Sequence, residues 1–519
     1  MIPQLAEAIR ARPFPVMVEL VASGLKREAQ VLEIASNLAN IPDVVAGSIT
    51  SYAGGKIGQD PVRVGTAVRA RGLPPNIHLT CVNQDRAGIR KTLQTLRALG
   101  IFNVFALTGD WPTAADSKPV FDLDSVMLTD LIASVRAEQN VPFHIAVAVS
   151  PFKYSREDCL YQYLKLEKKV AAGANMAITQ VGWDARKFAE LKRYLDERGI
   201  TTPVMGNVYV LARRPAERMA TGNPPGCWAS PELVAKIQKE SEAPDGGLSA
   251  RLERAAESVA VLKGLGYAGA YIGGTHNAEH ITRILERAAE LAPNWQECAE
   301  RLQFGDPQGF YLDSDTRPAR RHLPIVTVTL DTMGRTFNVT RDSAMRRLLT
   351  RFFSWVDRHP AVRDLTERLE YWTKRPTFGC EECGNCVLGH MEYVCPQTCP
   401  KQMRNGPCGG TFSTRCEVVD QECIWVSVYQ RAETAARVDY LKTFIPPPDR
   451  KLKRTSSWVN YFLNRDSRPE HRKPVDASTA PPDPIRIVKN QRHQAAPPPT
   501  PPKKEGPPAA AAEKRVGVG

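Results

Sequence analysis

Eight cysteines lie between Cys380 and Cys423. Cys380, Cys383 and Cys386 form C-x2-C-x2-C, and Cys395, Cys399, Cys408, Cys416 and Cys423 follow. In a reducing compartment such thiols do not pair as disulfides, so this density points to metal. Eight thiolates exceed one mononuclear site and suffice for two sites of four ligands. The opening run and the later Cys395-Pro396 match bacterial ferredoxin spacing, C-x2-C-x2-C-x3-C-P, except for the longer gap between Cys386 and Cys395. Structural zinc needs no fixed interval between its halves, so [4Fe-4S] and zinc both stay open. In Asn405-Gly406-Pro407-Cys408-Gly409-Gly410 the glycines let backbone N–H groups approach a sulfur, and Lys401 and Arg404 can offset thiolate charge.

A second set of polar residues sits at the ends of short apolar runs: Glu19, Ser48, His78, Asp110, Ser150 and Gln180. A polar group there is costly unless it is paired or used. Capping of the next helix is the plain alternative for Ser48 and Ser150. Glu19 and Asp110, two carboxyls in different surroundings, are a way to separate an acid from a base.

The runs that must position these residues are Val16–Val21, Asp43–Ile49, Asn76–Cys81, Asn103–Gly109, His144–Ser150, Met176–Val181, Pro203–Leu211 and Gly269–Gly274. They are rich in Val, Ile and Ala, as strands buried on both faces are. Amphipathic segments such as Arg86–Leu99, Asp184–Arg198 and Leu252–Leu265 separate them. Eight strand–helix units predict an α/β fold, a (β/α)8 TIM barrel over residues 1–302, with chemistry at the strands' C-terminal ends. A doubly wound sheet is the alternative, but no G-x-G-x-x-G follows the first strand. Residues 303–375 read as a mixed connector, with Ile325–Leu330 as a strand and Ser343–Val356 and Ala361–Trp372 as helices. A small cysteine-rich domain follows over 376–445, with a helix around Glu433–Thr443. Residues 446–519 read as a basic, Pro/Ala-rich disordered tail.

The chain has 519 residues and a formal net charge of +13. The stretch from Lys451 onward contributes +8 of that, leaving too little elsewhere for a polyanion-binding fold, so no nucleic-acid partner is expected. No run approaches the roughly 18 apolar residues of a membrane span. The N-terminus lacks a basic-then-apolar signal design, and a cytoplasmic location is expected.

Asn76–Cys81 (N-I-H-L-T-C), Ala106–Pro112 (A-L-T-G-D-W-P) and Lys168–Gln180 (K-K-V-A-A-G-A-N-M-A-I-T-Q) occur in order at barrel spacing. Together they resemble the methylenetetrahydrofolate reductase family from about Pro15 to Ala292. The resemblance implies hydride addition to the methylene carbon of 5,10-methylenetetrahydrofolate, giving 5-methyltetrahydrofolate, in either physiological direction. It implies Glu19 as the general acid that helps open the folate's five-membered ring, with a raised pKa expected from burial among Val18, Leu20 and Val21. It places Asp110 beside flavin and pterin, Gln180 at the pterin edge, His78 near the flavin, and Lys168 and Lys169 toward the flavin's phosphate. Several positions depart from the family. E-L-V-A-S replaces E-F-F-P-P after the first strand, and Thr108 stands for a phosphate-facing arginine. Ser150 stands for an aromatic residue and Gln162 for a ribose-binding aspartate. Ser48 and Thr50 both fit the strand-two flavin contact. FAD is the first expectation, FMN the second and a flavin-free transfer from NAD(P)H the third, with NAD(P)H as the implied electron donor.

C-x2-C-G-N-C, C-P-x2-C-P-K, N-G-P-C-G-G-T and Cys423-Ile424-Trp425 resemble the family's C-terminal domain, over about Pro376 to Val426. If the metal is an iron–sulfur cluster, the domain implies electron exchange with the flavin, and an electron-transfer partner or a homo-oligomer is possible. If it is zinc, the domain stiffens the chain or docks a partner. The competing readings are a pterin-dependent methyltransferase and a non-catalytic metal-bearing scaffold.

Overall fold

The computed structural model describes residues 5–21, 28–50, 58–113, 118–314, 322–336 and 343–469. Most of the expected tail, and the loop after Val21, lie outside the described residues.

Eight parallel strands close into a barrel in chain order. They are β1 (Val16–Val21), β2 (Val44–Thr50), β3 (Pro75–Thr80), β4 (Asn103–Leu107), β5 (His144–Val149), β6 (Met176–Thr179), β7 (Val204–Tyr209) and β8 (Gly269–Gly273). β1 pairs with both β2 and β8, which completes the (β/α)8 architecture. The helices between strands carry clear end signals. Arg86–Leu99, for example, starts where Asp85 accepts from the Gly88 N–H and stops at left-handed Gly100.

Strand parity decides which side chains reach the axis. Met17, Phe105, Ala146, Met176, Ile178, Met205 and Tyr271 form one cluster inside the barrel. Val16, Val18 and Leu20 belong to the larger core between strands and helices. Glu19 therefore shares the inward parity of Met17. Its burial comes from the barrel interior, not from Val18 and Leu20 as its sequence neighbours suggested. Leu5, Ala8 and Ile9 of the helix Leu5–Ala11 pack on the inner cluster. That helix plugs the strands' N-terminal end.

The connector differs from expectation in one element. Ile325–Leu330 lies in a helix, Ile325–Thr336. Its β-branched run favours a strand locally, but no strand among the described residues pairs with it. Thr329 and Thr332 turn their hydroxyls onto the Ile325 and Val328 carbonyls (2.8 Å each), bonds that only a helix offers. The other two helices are as expected but longer, Ala344–Arg358 and Pro360–Phe378. The last helix is shifted. Ile424–Thr434 is helical, the chain reverses at left-handed Ala436, and a 3-10 turn, Val438–Lys442, takes the place of the expected helix toward Thr443.

Residues 446–469, expected as tail, fold back as a strap. Arg450 pairs with Asp122 at 2.6 Å, Arg86 donates to the Pro448 carbonyl at 2.9 Å, and Val459 packs against Phe353 and Val356. The cysteine-rich domain docks on the barrel through two helices, Arg156–Ala171 and Ile424–Thr434. Trp425 meets Tyr161 edge to face at 5.0 Å, and Arg156 pairs with Glu433 at 2.6 Å. Among the described residues no helix is long and apolar enough to cross a membrane.

Candidate active site

A cavity of about 540 Å³ opens at the C-terminal ends of the strands, within the size range of cofactor and substrate sites. Glu19, His78, Thr108, Asp110, Ser150, Gln162, Lys169 and Gln180 all line it. Side chains from positions as far apart in the chain as Glu19 and Gln180 thus converge on one chamber. Ser48 does not line it. Its hydroxyl lies beneath, 2.8 Å from His78 Nε2 and accepting from Asn76 Nδ2 at 3.1 Å, so Ser48 orients the imidazole. Of the two strand-two candidates, Thr50 faces the cavity and donates to Glu19 Oε1 at 3.2 Å.

Burial raises the Glu19 carboxyl above the usual carboxylate range, and the Thr50 hydrogen bond opposes this only in part. The result is an acid that holds its proton at higher pH. His78 is shifted the other way. Burial pushes its pKa down to about 3, so it is a neutral imidazole, edge-on to Phe105 at 4.9 Å. An unfolded chain takes up this proton below its ordinary value, near 6.5, and the folded one only near 3. Between those values the unfolded state binds more protons, so this group makes stability fall as pH falls. His78→Asn should flatten the melting temperature's slope between pH 6.5 and 4 relative to wild type. Parallel slopes would remove His78 as the cause.

The two lysines behave differently. Lys169 commits its amine to the Ala148 carbonyl at 2.6 Å, and burial pushes it well below the ordinary lysine range. Lys168 does not line the cavity and is pushed down to about 7 by burial. Gln180 accepts from the Val181 N–H at 2.9 Å and keeps its amide nitrogen toward the chamber's second wall, near Gly226.

That second wall was not foreseen. Lys401, Pro407, Cys408, Gly409, Gly410 and Glu417 line the same cavity as Glu19. Gly226, in the left-handed region, runs so close to the Gly409 carbonyl that an added Cβ would lie 2.5 Å from its oxygen. Lys165 donates to the Pro407 carbonyl at 2.7 Å, and Lys153 to that of Thr411. Asp124 receives the N–H groups of Arg404 and Asn405 at 3.3 and 3.0 Å. Asn207, Tyr209 and Tyr271 also face the chamber and were missed, because they sit inside apolar strand runs where parity alone reveals them.

Four buried atoms in this lining have no hydrogen-bond partner among the described residues: Thr108 Oγ1, Ser150 Oγ, Gln162 Nε2 and Asn207 Oδ1. Buried polar atoms in that state call for an explanation, and a polar ligand is one. Three of the four are positions where the sequence departs from the family pattern.

The cysteines divide into two neighbourhoods. Cys380, Cys383 and Cys386 act electrostatically on Cys395, and all four line one small cavity. Cys399 acts on Cys408, both act on Cys423, and Cys416 acts on Cys399. Each of the eight sulfurs has a donor. Backbone N–H groups of Glu382, Leu388, Gln397, Lys401, Gly410 and Trp425 serve Cys380, Cys386, Cys395, Cys399, Cys408 and Cys423. The Val418 N–H lies 3.5 Å from Cys416 and Arg404 Nη2 lies 3.8 Å from Cys383. Lys374 adds a cation 3.6 Å from Cys386. N–H groups turned onto sulfur are the outer shell that thiolate metal sites use, so the donor set fits a metal. As the side chains stand, no group of three or more His, Cys, Asp or Glu among the described residues is arranged to hold one.

A (β/α)8 barrel with an acid whose pKa is raised by burial, a neutral imidazole and unpartnered polar atoms around one chamber defines a ligand-binding barrel equipped for proton transfer. Residues 26–222 match the family model described as methylenetetrahydrofolate reductase, and residues 359–451 match methylene-tetrahydrofolate reductase C terminal. The chain thus belongs to the methylenetetrahydrofolate reductase family, with the family's barrel and its C-terminal domain in one polypeptide. It is 30% identical over 142 residues to a probable methylenetetrahydrofolate reductase (NADPH) of Caenorhabditis elegans, covering 26% of this chain and 20% of that one. It is 28% identical over 138 residues to 5,10-methylenetetrahydrofolate reductase of Salmonella typhimurium, covering 26% and 44%. The chain therefore spans between a fifth and under half of these relatives' lengths. A solved structure described as an uncharacterized protein from Clostridium thermocellum that binds two copies of 5-methyl-5,6,7,8-tetrahydrofolic acid overlays with a TM-score of 0.39 at 12% identity, covering 56% of this chain and 99% of that one.

Proposed function

We propose that this chain interconverts 5,10-methylenetetrahydrofolate and 5-methyltetrahydrofolate at the barrel mouth. The observation that carries the reading is the raised, inward-facing carboxyl of Glu19, in a chamber where the buried Thr108, Ser150, Gln162 and Asn207 atoms have no partner among the described residues. Bound FAD is the expected cofactor, with NAD(P)H as donor, and it supplies the hydride for the methylene carbon. Thr108, Ser150, Gln162 and Asn207 are the groups that would hold it or the pterin. The protein's own contribution is proton chemistry and exclusion of water. Neutral Glu19 hands its proton to the imidazolidine nitrogen that leaves the methylene carbon, and hydride plus proton account for the methyl product. Thr50 fixes the carboxyl's orientation. His78, kept neutral, can donate or accept without adding a charge beside the folate, and Gln180 can do both toward the pterin edge.

The eight cysteines are proposed to hold two metal centres, one from Cys380, Cys383, Cys386 and Cys395 and one from Cys399, Cys408, Cys416 and Cys423. The grouping of the sulfurs and the donor to each support the division, and the cations Lys374 and Arg404, both beside the first set, suit either zinc or [4Fe-4S]. Anaerobically purified protein should carry one flavin and two metal centres per chain by visible spectrum and metal analysis. Iron with a broad visible band selects clusters and colourless zinc selects structural sites. Protein with neither metal nor flavin overturns the cofactor assignment.

A further inference from the structure

The barrel alone does not complete its own chamber. Lys401, from the cysteine-rich domain, is almost fully buried. It donates to the Gly109 carbonyl at 2.8 Å and ion-pairs with Glu417, whose side chain is also buried and lines the cavity. Gly109 is the left-handed residue just before Asp110, so fixing its carbonyl fixes the peptide that aims Asp110. Lys401 and Asp110 also interact electrostatically. Thr108, on the other side of Gly109, has a buried hydroxyl with no partner among the described residues.

We infer that Lys401 is a positioning residue for the barrel's folate site, acting through Gly109 to hold Asp110. This rests on the folate reading above. The cysteine-rich domain is thereby part of the reaction chamber rather than an appendage, and the second cysteine set anchors it there, since Cys399 and Cys423 bracket Lys401 and the other wall residues.

Removing Lys401 alone would strand the buried Glu417 charge and destabilise the fold for a trivial reason. The informative variant is Lys401→Met with Glu417→Gln, which removes both charges at nearly constant volume. The probe is 5-methyltetrahydrofolate, with its Kd measured by fluorescence quenching on the full-length holoprotein. The double variant should weaken binding about tenfold with little change in melting temperature. The comparator is Lys153→Met, which breaks another lysine contact between the domains, to the Thr411 carbonyl, without touching Gly109. It should lower the melting temperature and leave Kd within twofold. If the double variant does not fold, Lys401→Gln made together with Glu417→Gln, which leaves a neutral donor one bond shorter and no stranded charge, should lose at least threefold in affinity. Wild-type affinity in the double variant, or in Lys401→Gln with Glu417→Gln if that is used, overturns the inference. So does an equal loss in Lys153→Met, because Lys401 would then be only a docking contact. Failure of wild-type protein to bind the probe at all would instead overturn the folate reading.

Discussion

Glu19→Gln is expected to slow folate reduction by about a thousandfold, within the range for loss of a general acid. Glutamine keeps the size of the side chain and can still meet Thr50, but it has no proton to give. Reduction of the bound flavin by NAD(P)H, which needs no acid at this position, should proceed at close to the wild-type rate in stopped flow. The pH profile supplies the second half of the test. Because the folded carboxyl titrates above its ordinary value of 4.5, the active, protonated form persists upward and is lost as pH rises through the raised pKa. Wild type should therefore lose turnover on the alkaline side, and the residual rate of the variant should lack that limb. An unchanged turnover in Glu19→Gln would remove the residue from the mechanism, whatever the cavity's shape.

The second large effect concerns the cysteines. Residues 380–423 contain only short 3-10 turns and isolated bridges, so little regular hydrogen bonding offsets the ordering of this segment, which costs about 1–2 kcal/mol per residue. Glu382, Glu392, Tyr393, Gln402, Ser413 and Thr414 all hold left-handed backbone conformations without being glycine. Each such residue stores roughly 1–2 kcal/mol of strain, which something must hold in place. A structural metal can contribute about 10 kcal/mol per site. Cys383→Ser and Cys408→Ser should each lose one metal centre per chain and expose the segment to protease. Cys408→Ser should in addition weaken 5-methyltetrahydrofolate binding, since that set stands at the chamber. Two variants as metal-replete and protease-resistant as wild type would refute the division into two sites.

Much of this was legible in the sequence for a simple reason. Parallel barrel strands are buried on both faces, so each writes a short apolar run whose end can be read directly. Glu19, His78, Asp110 and Gln180 were found that way, and all four line the chamber. Ser48 was misplaced because parity could not separate it from Thr50, two residues further along the same strand. Ile325–Leu330 misled because β-branched residues mark a strand only where a neighbour can pair with them. The wall built by Lys401, Gly409 and Glu417 left no local trace. Its contacts join residues almost three hundred positions apart, and neither periodicity nor spacing records which distant loop closes a barrel.

The strap from Pro448 to Arg450, held by Arg86 and Asp122, has a consequence for how the protein is made. Ribosomes deliver the eighth strand well before the strap, and at roughly 5–20 residues per second the intervening chain takes about ten to thirty seconds to emerge. During that time the nascent barrel can close its ladder before the strap reaches Arg86 and Asp122, so the strap is a clasp fastened onto a cylinder that already exists.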